Sequence, residues 1–156
     1  MTELIVIHGI SLPPGKYGGP EIEALFTNTL DPDAHPYFAE ISGLEVSAHF
    51  LVRRAGEVVQ FVSTDARSWH AGVSCWQGRE QCNDFSIGIE LEGCDDEAYT
   101  DTQYDALNQL LAALIKQYPD IRHDAIVGHS DIAPGRKTDP GPTFDWSRIV
   151  ASQSQQ

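Results

Sequence analysis

The sequence predicts a single domain of mixed α/β class, in which α-helices flank a central mixed β-sheet. Three kinds of segment indicate this fold: short apolar runs rich in β-branched residues, two β-rich runs separated by a turn, and one long amphipathic stretch with helical spacing. A chain of 156 residues can bury one substantial core. Because neither an internal repeat nor a second domain is evident, we assign residues 1–150 to the domain and residues 151–156 to a polar tail.

The predicted β-strands come from short apolar or alternating runs. Residues 4–7 are apolar and β-branched, as in a buried strand, and residues 124–127 form a similar run. Residues 46–53 and 57–62 flank an Arg-Ala-Gly turn, which predicts a hairpin. Residues 85–92 alternate, with Phe, Ile, Ile and Leu on one face and Ser, Gly, Glu and Glu on the other. Together these runs predict a sheet.

Helical spacing and turn residues predict the remaining segments. A helix is expected from about residue 100 to residue 118, because its apolar residues form one stripe and Pro119 follows it. A shorter helix is expected at residues 21–29. Residues 11–20, rich in Pro and Gly, and residues 65–84, which are polar, are predicted loops. Loops as long as the second one usually carry function.

The composition excludes several classes of protein. The net charge is −13 and no basic patch is visible, so we expect no nucleic-acid partner and no binding to anionic membranes. No apolar run approaches the ~20 residues of a membrane helix. The first residues lead directly into a predicted strand, which leaves no signal peptide. We expect the chain to act as a monomer.

The cysteine content favours a reducing compartment. The three cysteines are an odd number and their spacing matches no CxxC metal motif. Three free thiols indicate a cytoplasmic location. Pairing of Cys82 with Cys94 in an oxidising compartment is the alternative.

Metal-binding residue types stand at the ends of the predicted strands. His8 and His129 each end an apolar, β-branched run, and Asp139 follows in an Asp-Pro-Gly-Pro sequence whose proline and glycine restrict the loop. Polar side chains at these places cannot serve the core, so we expect them to form a site. Two imidazoles and one carboxylate are the ligands of a hydrolytic Zn²⁺ centre with an open position for water. Non-haem iron uses the same set, so the spacing leaves iron open.

Two further residues can supply acid–base and charge chemistry. Glu90 ends a strand whose other face is apolar, which makes it the best candidate for a general base. Its alternative is an ordinary solvent-facing glutamate, which is what we expect of Glu92. Lys137 precedes Asp139 by two residues, and a cation there would stabilise negative charge on a substrate oxygen.

The long polar loop carries candidate ligand contacts. Trp69 can stack on a sugar or a peptide, and His70 can form a hydrogen bond with a ligand. Trp69 could instead cover the core. Asn83 is either a turn residue or a polar contact at the edge of a cleft. We expect His49 to be packed and hydrogen-bonded rather than catalytic.

Several long motifs, in order, resemble the cytoplasmic N-acetylmuramoyl-L-alanine amidases of the AmpD type, within the zinc amidase group related to peptidoglycan recognition proteins. The resemblance covers about residues 4–146, in the runs VIHGISLPPG, DPDAHPYFA, VSAHFLVRR, WHAGVS, QGREQCNDFSIGIELEG and GHSDIAPGRKTDPGPTFDW. It implies an amidase-like fold and zinc-dependent hydrolysis of the amide between the lactyl group of N-acetylmuramic acid and L-alanine. The implied substrate is a 1,6-anhydro-muropeptide, cleaved in the cytoplasm during peptidoglycan recycling.

The resemblance also implies roles for individual residues, and residues 1–150 become the zinc amidase catalytic domain. By position, the implied zinc ligands are His8, His129 and Asp139, the catalytic pair is Glu90 and Lys137, and the substrate-side residues are Trp69, His70 and Asn83.

Three positions depart from the family pattern. Gly9 stands where Asn is common, and Glu45 and Gln81 stand where basic residues are expected. Each change removes a group that could meet the stem peptide, so the peptide preference stays open. Two other functions are alternatives: a non-catalytic muropeptide-binding module and an exported or phage-type wall lysin. The complete ligand set argues against the first, and the acidic charge with no signal segment or wall-binding repeat argues against the second.

Overall fold

A five-stranded β-sheet forms the centre of the protein, in a computed structural model that describes residues 1–41 and 43–150. The predicted polar tail at residues 151–156 lies outside the described residues. The strands are β1 (Leu4–Ile10), β2 (Phe50–Val52), β3 (Val58–Gln60), β4 (Cys75–Trp76), β5 (Arg79–Glu80), β6 (Ser86–Glu92) and β7 (Ile126–Gly128). The helices are α1 (Glu21–Phe26), α2 (Pro36–Glu40), α3 (Asp101–Gln117) and α4 (His129–Ile132).

The order of strands in the main sheet is β3-β2-β6-β1-β7. β2, β6, β1 and β7 run parallel to their neighbours, and β3 pairs antiparallel with β2. The sheet is therefore mixed and the predicted fold class is confirmed. Because β6, β1 and β7 are adjacent and parallel, their carboxyl ends lie at the same edge of the sheet.

β6 is buried along its whole length, since it lies between β1 and β2. The prediction that Glu92 faces solvent is therefore wrong: this residue is only 2% exposed. Its carboxylate accepts hydrogen bonds from the backbone N–H groups of Gly18 and Arg54, and the Arg53 guanidinium lies 3.6 Å away. A buried carboxylate needs such partners, and two segments that fold over the end of β6 supply them.

Helix α3 covers one face of the sheet and confirms the predicted long helix. Thr100 caps its first turn in a reciprocal arrangement with Gln103, which is a capping box. Its apolar stripe, which includes Leu107 and Leu111, is fully buried in the main core. A second apolar cluster lies around α1 and α2 and packs against Leu51 of β2. This second cluster forms one wall of the cleft described below.

Several element boundaries differ from the prediction. β1 continues to Ile10, beyond the predicted end at residue 7, because its pairing with β6 continues that far. α1 ends at Phe26, and Asn28 shortly after it adopts a φ of 61°, a left-handed conformation that does not continue a helix. α2 was not predicted, and the predicted loop at residues 65–84 contains the β4–β5 hairpin. As a consequence, His8 lies within β1 rather than beyond its end.

Two expectations from the sequence concern disulfide pairing and membrane-spanning helices. Cys75, Cys82 and Cys94 are all free, so the alternative pairing of Cys82 with Cys94 is wrong for this structure. Within residues 1–41 and 43–150, the structure has no helix with the length and hydropathy needed to cross a bilayer.

The buried stripe of α3 predicts a specific stability loss. Leu107 is fully buried, so Leu107→Ala should lower the free energy of unfolding by about 2–5 kcal/mol, through lost apolar burial and the cavity left behind. Urea unfolding would measure this change. Gln109→Ala, at an exposed position of the same helix, is the matched control and should stay within about 0.5 kcal/mol of the wild type. Equal effects of the two substitutions would contradict the assigned packing.

Candidate metal centre and active site

Three adjacent parallel strands place three chemical groups side by side. In the pairing of β1 with β6, His8 lies directly opposite Glu90. On the other side of β1, Ile7 lies opposite Gly128. His129 is the next residue and the first of α4, so it lies at the same level of the sheet as His8. Sheet register therefore brings Glu90, His8 and His129 to one edge of the sheet.

Asp139 completes a cluster of three possible metal ligands. The Nδ1 atoms of His8 and His129 are 2.9 Å apart. The Asp139 carboxylate lies 3.4 Å from the first of these nitrogens and 3.3 Å from the second. All three donor atoms lie within 4.8 Å of one another, and both histidines are buried. The structure thus brings together the three residues that the sequence indicated as a metal site.

Backbone contacts hold the Asp139 loop against β1 and α4. The Ser130 N–H donates to the Asp139 carbonyl at 3.0 Å, and the Gly9 N–H donates to its carboxylate at 3.2 Å. The Tyr99 hydroxyl donates to the Pro140 carbonyl at 2.7 Å. A Cβ at Gly9 would collide with that hydroxyl, so this close approach requires glycine. The loop that carries the carboxylate is therefore held by groups from three separate segments.

Glu90 faces this cluster with an unsatisfied acceptor. Its Oε1 lies 3.8 Å from His8 Nδ1. Its Oε2 is buried and has no hydrogen-bond partner among the residues that the structure describes. Native proteins rarely leave a buried carboxylate oxygen unpaired. An orphaned acceptor beside two imidazoles and a carboxylate fits a site that holds a divalent cation.

Burial changes the protonation of the cluster. Burial raises the pKa of Glu90 well above its ordinary value, and the charge of Asp139 adds to this, while Lys137 opposes it. Burial lowers the pKa of His8 to about 4. Burial alone would raise the pKa of Asp139, but hydrogen bonds from His129 and His8 outweigh it and hold that pKa far below its ordinary value. The structure therefore favours a neutral His8 imidazole, an ionised Asp139 and a Glu90 that retains its proton more readily than usual.

The cluster lies at the bottom of a cleft of about 420 Å³. Lys137 is exposed and lines the cleft near Glu90. Trp69 is 56% exposed at its edge, with the Arg67 guanidinium 4.2 Å from its ring centroid. One wall of the cleft is largely apolar and is formed by Leu25, Phe26, Tyr37, Ile41, Leu44 and Val46. The cleft therefore has a polar bottom, formed by the cluster and Glu90, and one apolar wall.

His70 and Asn83 lie behind the cluster. His70 Nδ1 is 2.9 Å from His8 Nε2, and its Nε2 is 3.0 Å from the Ser86 hydroxyl. Its ring also borders the cleft. Asn83 is buried and is not among the residues that line the cleft. Its Oδ1 instead accepts hydrogen bonds from the backbone N–H groups of His70 and Ala71.

Comparison with known proteins assigns the chain to a family. Residues 2–142 match the family model of the N-acetylmuramoyl-L-alanine amidases. This chain belongs to that amidase family. It is 66% identical, over 148 residues, to the 1,6-anhydro-N-acetylmuramyl-L-alanine amidase AmpD of Enterobacter cloacae. The aligned region covers 95% of this chain and 79% of that protein. The resemblance found in the sequence is thereby confirmed.

Solved structures of the amidase family share this fold. A crystal structure of a selenomethionine AmpD derivative superposes with a TM-score of 0.94 at 63% identity, covering 97% of this chain and 84% of that one. The amidase AmiD of Escherichia coli, in complex with anhydro-N-acetylmuramic acid-L-Ala-D-γ-Glu-L-Lys, gives a TM-score of 0.72 at 28% identity, covering 97% of this chain and 57% of that one.

Some contacts that support this cluster were missed in the sequence. Ala71 contributes only its backbone carbonyl, which accepts from His129 Nε2 at 2.9 Å, and no side-chain signal marks such a role. Tyr99 acts across 41 residues on the Pro140 carbonyl. Arg136 contacts the Ala71 carbonyl at 2.7 Å. The sequence feature that could have indicated a role for Arg136 is its position next to Lys137 in the run GHSDIAPGRKTDPGPTFDW.

His49 is packed and hydrogen-bonded, as predicted. Its Nε2 donates to the Ala66 carbonyl at 2.7 Å, and its Nδ1 accepts from the Gly88 N–H at 3.1 Å and the Ser68 hydroxyl at 3.0 Å. Burial lowers its pKa from 6.5, although the bond to Ala66 opposes this. Protonation of Nδ1 would break the bond from Gly88, so the folded state keeps this ring neutral.

We expect the free energy of unfolding to fall as the pH drops below 6.5, because the unfolded chain then binds a proton that folded His49 does not. The stability is present above this pH and is lost as the pH falls toward the lowered pKa of the folded state. Urea unfolding at pH 7.5 and 5.5, at equal metal content, would measure the loss. His49→Gln should show a smaller loss than the wild type. The same loss in both proteins would contradict the assignment.

Proposed function

We propose that this chain is a zinc-dependent hydrolase of the amide bond between the lactyl group of N-acetylmuramic acid and L-alanine in muropeptides. The proposed substrate carries the 1,6-anhydro form of the sugar, and the proposed role is peptidoglycan recycling in the cytoplasm. The cluster of His8, His129 and Asp139 beside the unpaired Oε2 of Glu90 is the observation that carries this proposal. Family membership, the activity named for AmpD of Enterobacter cloacae and the anhydro-muropeptide bound by AmiD support it.

The ligand set suits zinc, which accepts imidazole and carboxylate donors. His8 and His129 would bind through Nδ1, since these atoms face each other and Asp139. When bound, Zn²⁺ would supply Lewis acidity toward the amide carbonyl and would acidify the attacking water. The protein would contribute three donors and leave the cleft side open to substrate.

Glu90 would move the proton in this reaction. Its carboxylate lies 3.8 Å from His8 Nδ1, close enough to the metal site to take a proton from the attacking water first and then give it to the departing L-alanine nitrogen. Burial also keeps bulk water from competing for its Oε2. Lys137, exposed in the cleft, would stabilise negative charge that develops on the substrate oxygen.

The cleft walls would position the two halves of the substrate. The exposed ring of Trp69 offers a face on which a sugar or peptide can stack. His70 borders the cleft and can contact substrate from its edge. Asn83, predicted as a substrate contact, has its Oδ1 engaged with the loop backbone, and another role for it follows below.

Removal of the metal tests the proposal directly. The purified protein should hold about one zinc per chain, and a chelator should abolish release of peptide from anhydro-muropeptide, because the three donors cannot polarise the carbonyl alone. Addition of zinc should restore the activity. Iron instead of zinc in the metal analysis would favour the non-haem iron alternative. Cleavage of intact sacculi in preference to anhydro-muropeptide would favour a wall lysin, and bound muropeptide without hydrolysis would favour a binding module.

Substitution of Glu90 separates catalysis from metal binding. Glu90→Ala should lower kcat by about 10²–10⁴-fold while zinc content stays at the wild-type level, because Glu90 moves the proton and does not hold the metal. Steady-state kinetics together with metal analysis would measure both quantities. Glu40→Ala, on the exposed surface of α2, is the control and should leave both unchanged. A near-wild-type rate for Glu90→Ala would show that another group is the base.

A further inference from the structure

Two consecutive loop residues hold the outer nitrogens of both histidine ligands. His8 Nε2 lies 2.9 Å from His70 Nδ1, and His129 Nε2 lies 2.9 Å from the Ala71 carbonyl. A carbonyl oxygen can only accept, so His129 Nε2 carries a proton, and the lone pair of His129 Nδ1 would be the one available to a bound cation. One dipeptide therefore faces both imidazoles from the side opposite the cation site.

Asn83 fixes this dipeptide in place. Its Oδ1 accepts the N–H of His70 at 3.2 Å and the N–H of Ala71 at 2.9 Å. Asn83 is buried and lies in a short turn, Cys82–Asp84, that leads directly into β6. A single oxygen that binds two consecutive N–H groups sets the direction of the peptide between them. The His70–Ala71 dipeptide is thereby tied to the strand that carries Glu90.

Contacts from β6 and Arg136 fix the dipeptide on its other sides. The Ser86 hydroxyl lies 3.0 Å from His70 Nε2, and Gly88 leaves room for the His70 ring, which a Cβ there would strike. The Arg136 guanidinium donates to the Ala71 carbonyl at 2.7 Å and to the Val73 carbonyl at 2.8 Å. The carbonyl that orients His129 is thus itself held by a charged donor.

We propose that Asn83 is a positioning residue for the metal centre, which acts through the His70–Ala71 dipeptide to set the tautomer and orientation of both His8 and His129. The inference rests on the proposed zinc centre and assigns Asn83 a role other than substrate contact. Groups that orient metal-bound histidines through the distal nitrogen typically contribute 10–100-fold in metal affinity. Here the Oδ1 atom of Asn83 holds both residues whose groups contact His8 and His129.

The test compares Asn83→Ala with Asn83→Asp. Zinc affinity, measured by competition with a chromophoric chelator, should fall about 10–100-fold in Asn83→Ala. It should stay close to the wild-type value in Asn83→Asp, because a carboxylate oxygen can accept the same two N–H bonds. The visible spectrum of the cobalt-substituted protein should change in Asn83→Ala and not in Asn83→Asp, which reports ligand geometry independently of activity.

Asn108→Ala is the matched control. Its carboxamide also binds backbone groups: it donates to the Arg148 carbonyl at 2.9 Å and accepts from the Val150 N–H at 3.0 Å. These contacts hold residues 148–150 and none of the residues around the metal site. It should lower the free energy of unfolding without changing zinc affinity. An equal loss of zinc affinity in Asn108→Ala and Asn83→Ala would overturn the inference, since general destabilisation would then explain both.

Other outcomes separate the inference from the proposed function. Asn83→Ala could keep the wild-type zinc affinity and show a raised KM for anhydro-muropeptide. This result would overturn the inference and indicate that Asn83 contacts the substrate. Failure of the wild-type protein to bind zinc would overturn the proposed function and this inference together. If Asn83→Ala does not fold, His70→Asn, which keeps an acceptor near His8, should bind zinc more tightly than His70→Leu. Equal affinity of these two variants would contradict the assigned role.

Discussion

The structure depends on the convergence of two imidazole nitrogens and one carboxylate on a single buried point. The facing Nδ1 atoms of His8 and His129 are 2.9 Å apart, and Asp139 lies within 3.4 Å of both. Parallel pairing of β1 with β6 and β7 fixes the histidines and Glu90, and contacts from Gly9, Ser130 and Tyr99 fix the aspartate. Two imidazole nitrogens and one carboxylate suit a small divalent cation, and we propose Zn²⁺ as its identity.

Burial of these polar groups is costly, and the protein offsets the cost in two ways. Most buried polar atoms of the centre have partners within the described chain, including both outer imidazole nitrogens. The exception is Glu90 Oε2, which is buried and has no partner among the described residues, in a side chain that lines the cleft. Burial raises the pKa of this carboxyl group, because the ionised form loses the water that would stabilise it. The apolar core that α3 shares with β1 and β6 offsets part of this cost through buried apolar surface.

Much of the site and fold was predictable because the signals are local. His8 and His129 follow apolar, β-branched runs, Glu90 belongs to an alternating run, and α3 follows from its apolar stripe and the proline after it. The roles that were missed depend on long-range geometry. The burial of Glu92 depends on N–H groups 74 and 38 residues away, and His70 meets His8 across 62 residues. Ala71 acts through its carbonyl, which no sequence pattern marks. The end of α1 was misplaced because the left-handed conformation of Asn28 depends on its surroundings.

A crystal structure of the zinc-loaded protein, with anomalous scattering measured at the zinc edge, would test the metal centre most directly. We predict one ion bound by His8 Nδ1, His129 Nδ1 and an oxygen of Asp139, at about 2.0–2.2 Å from each, with the coordination position toward Glu90 open to solvent. An ion located elsewhere, or bound through the Nε2 atoms of the two histidines, would contradict it.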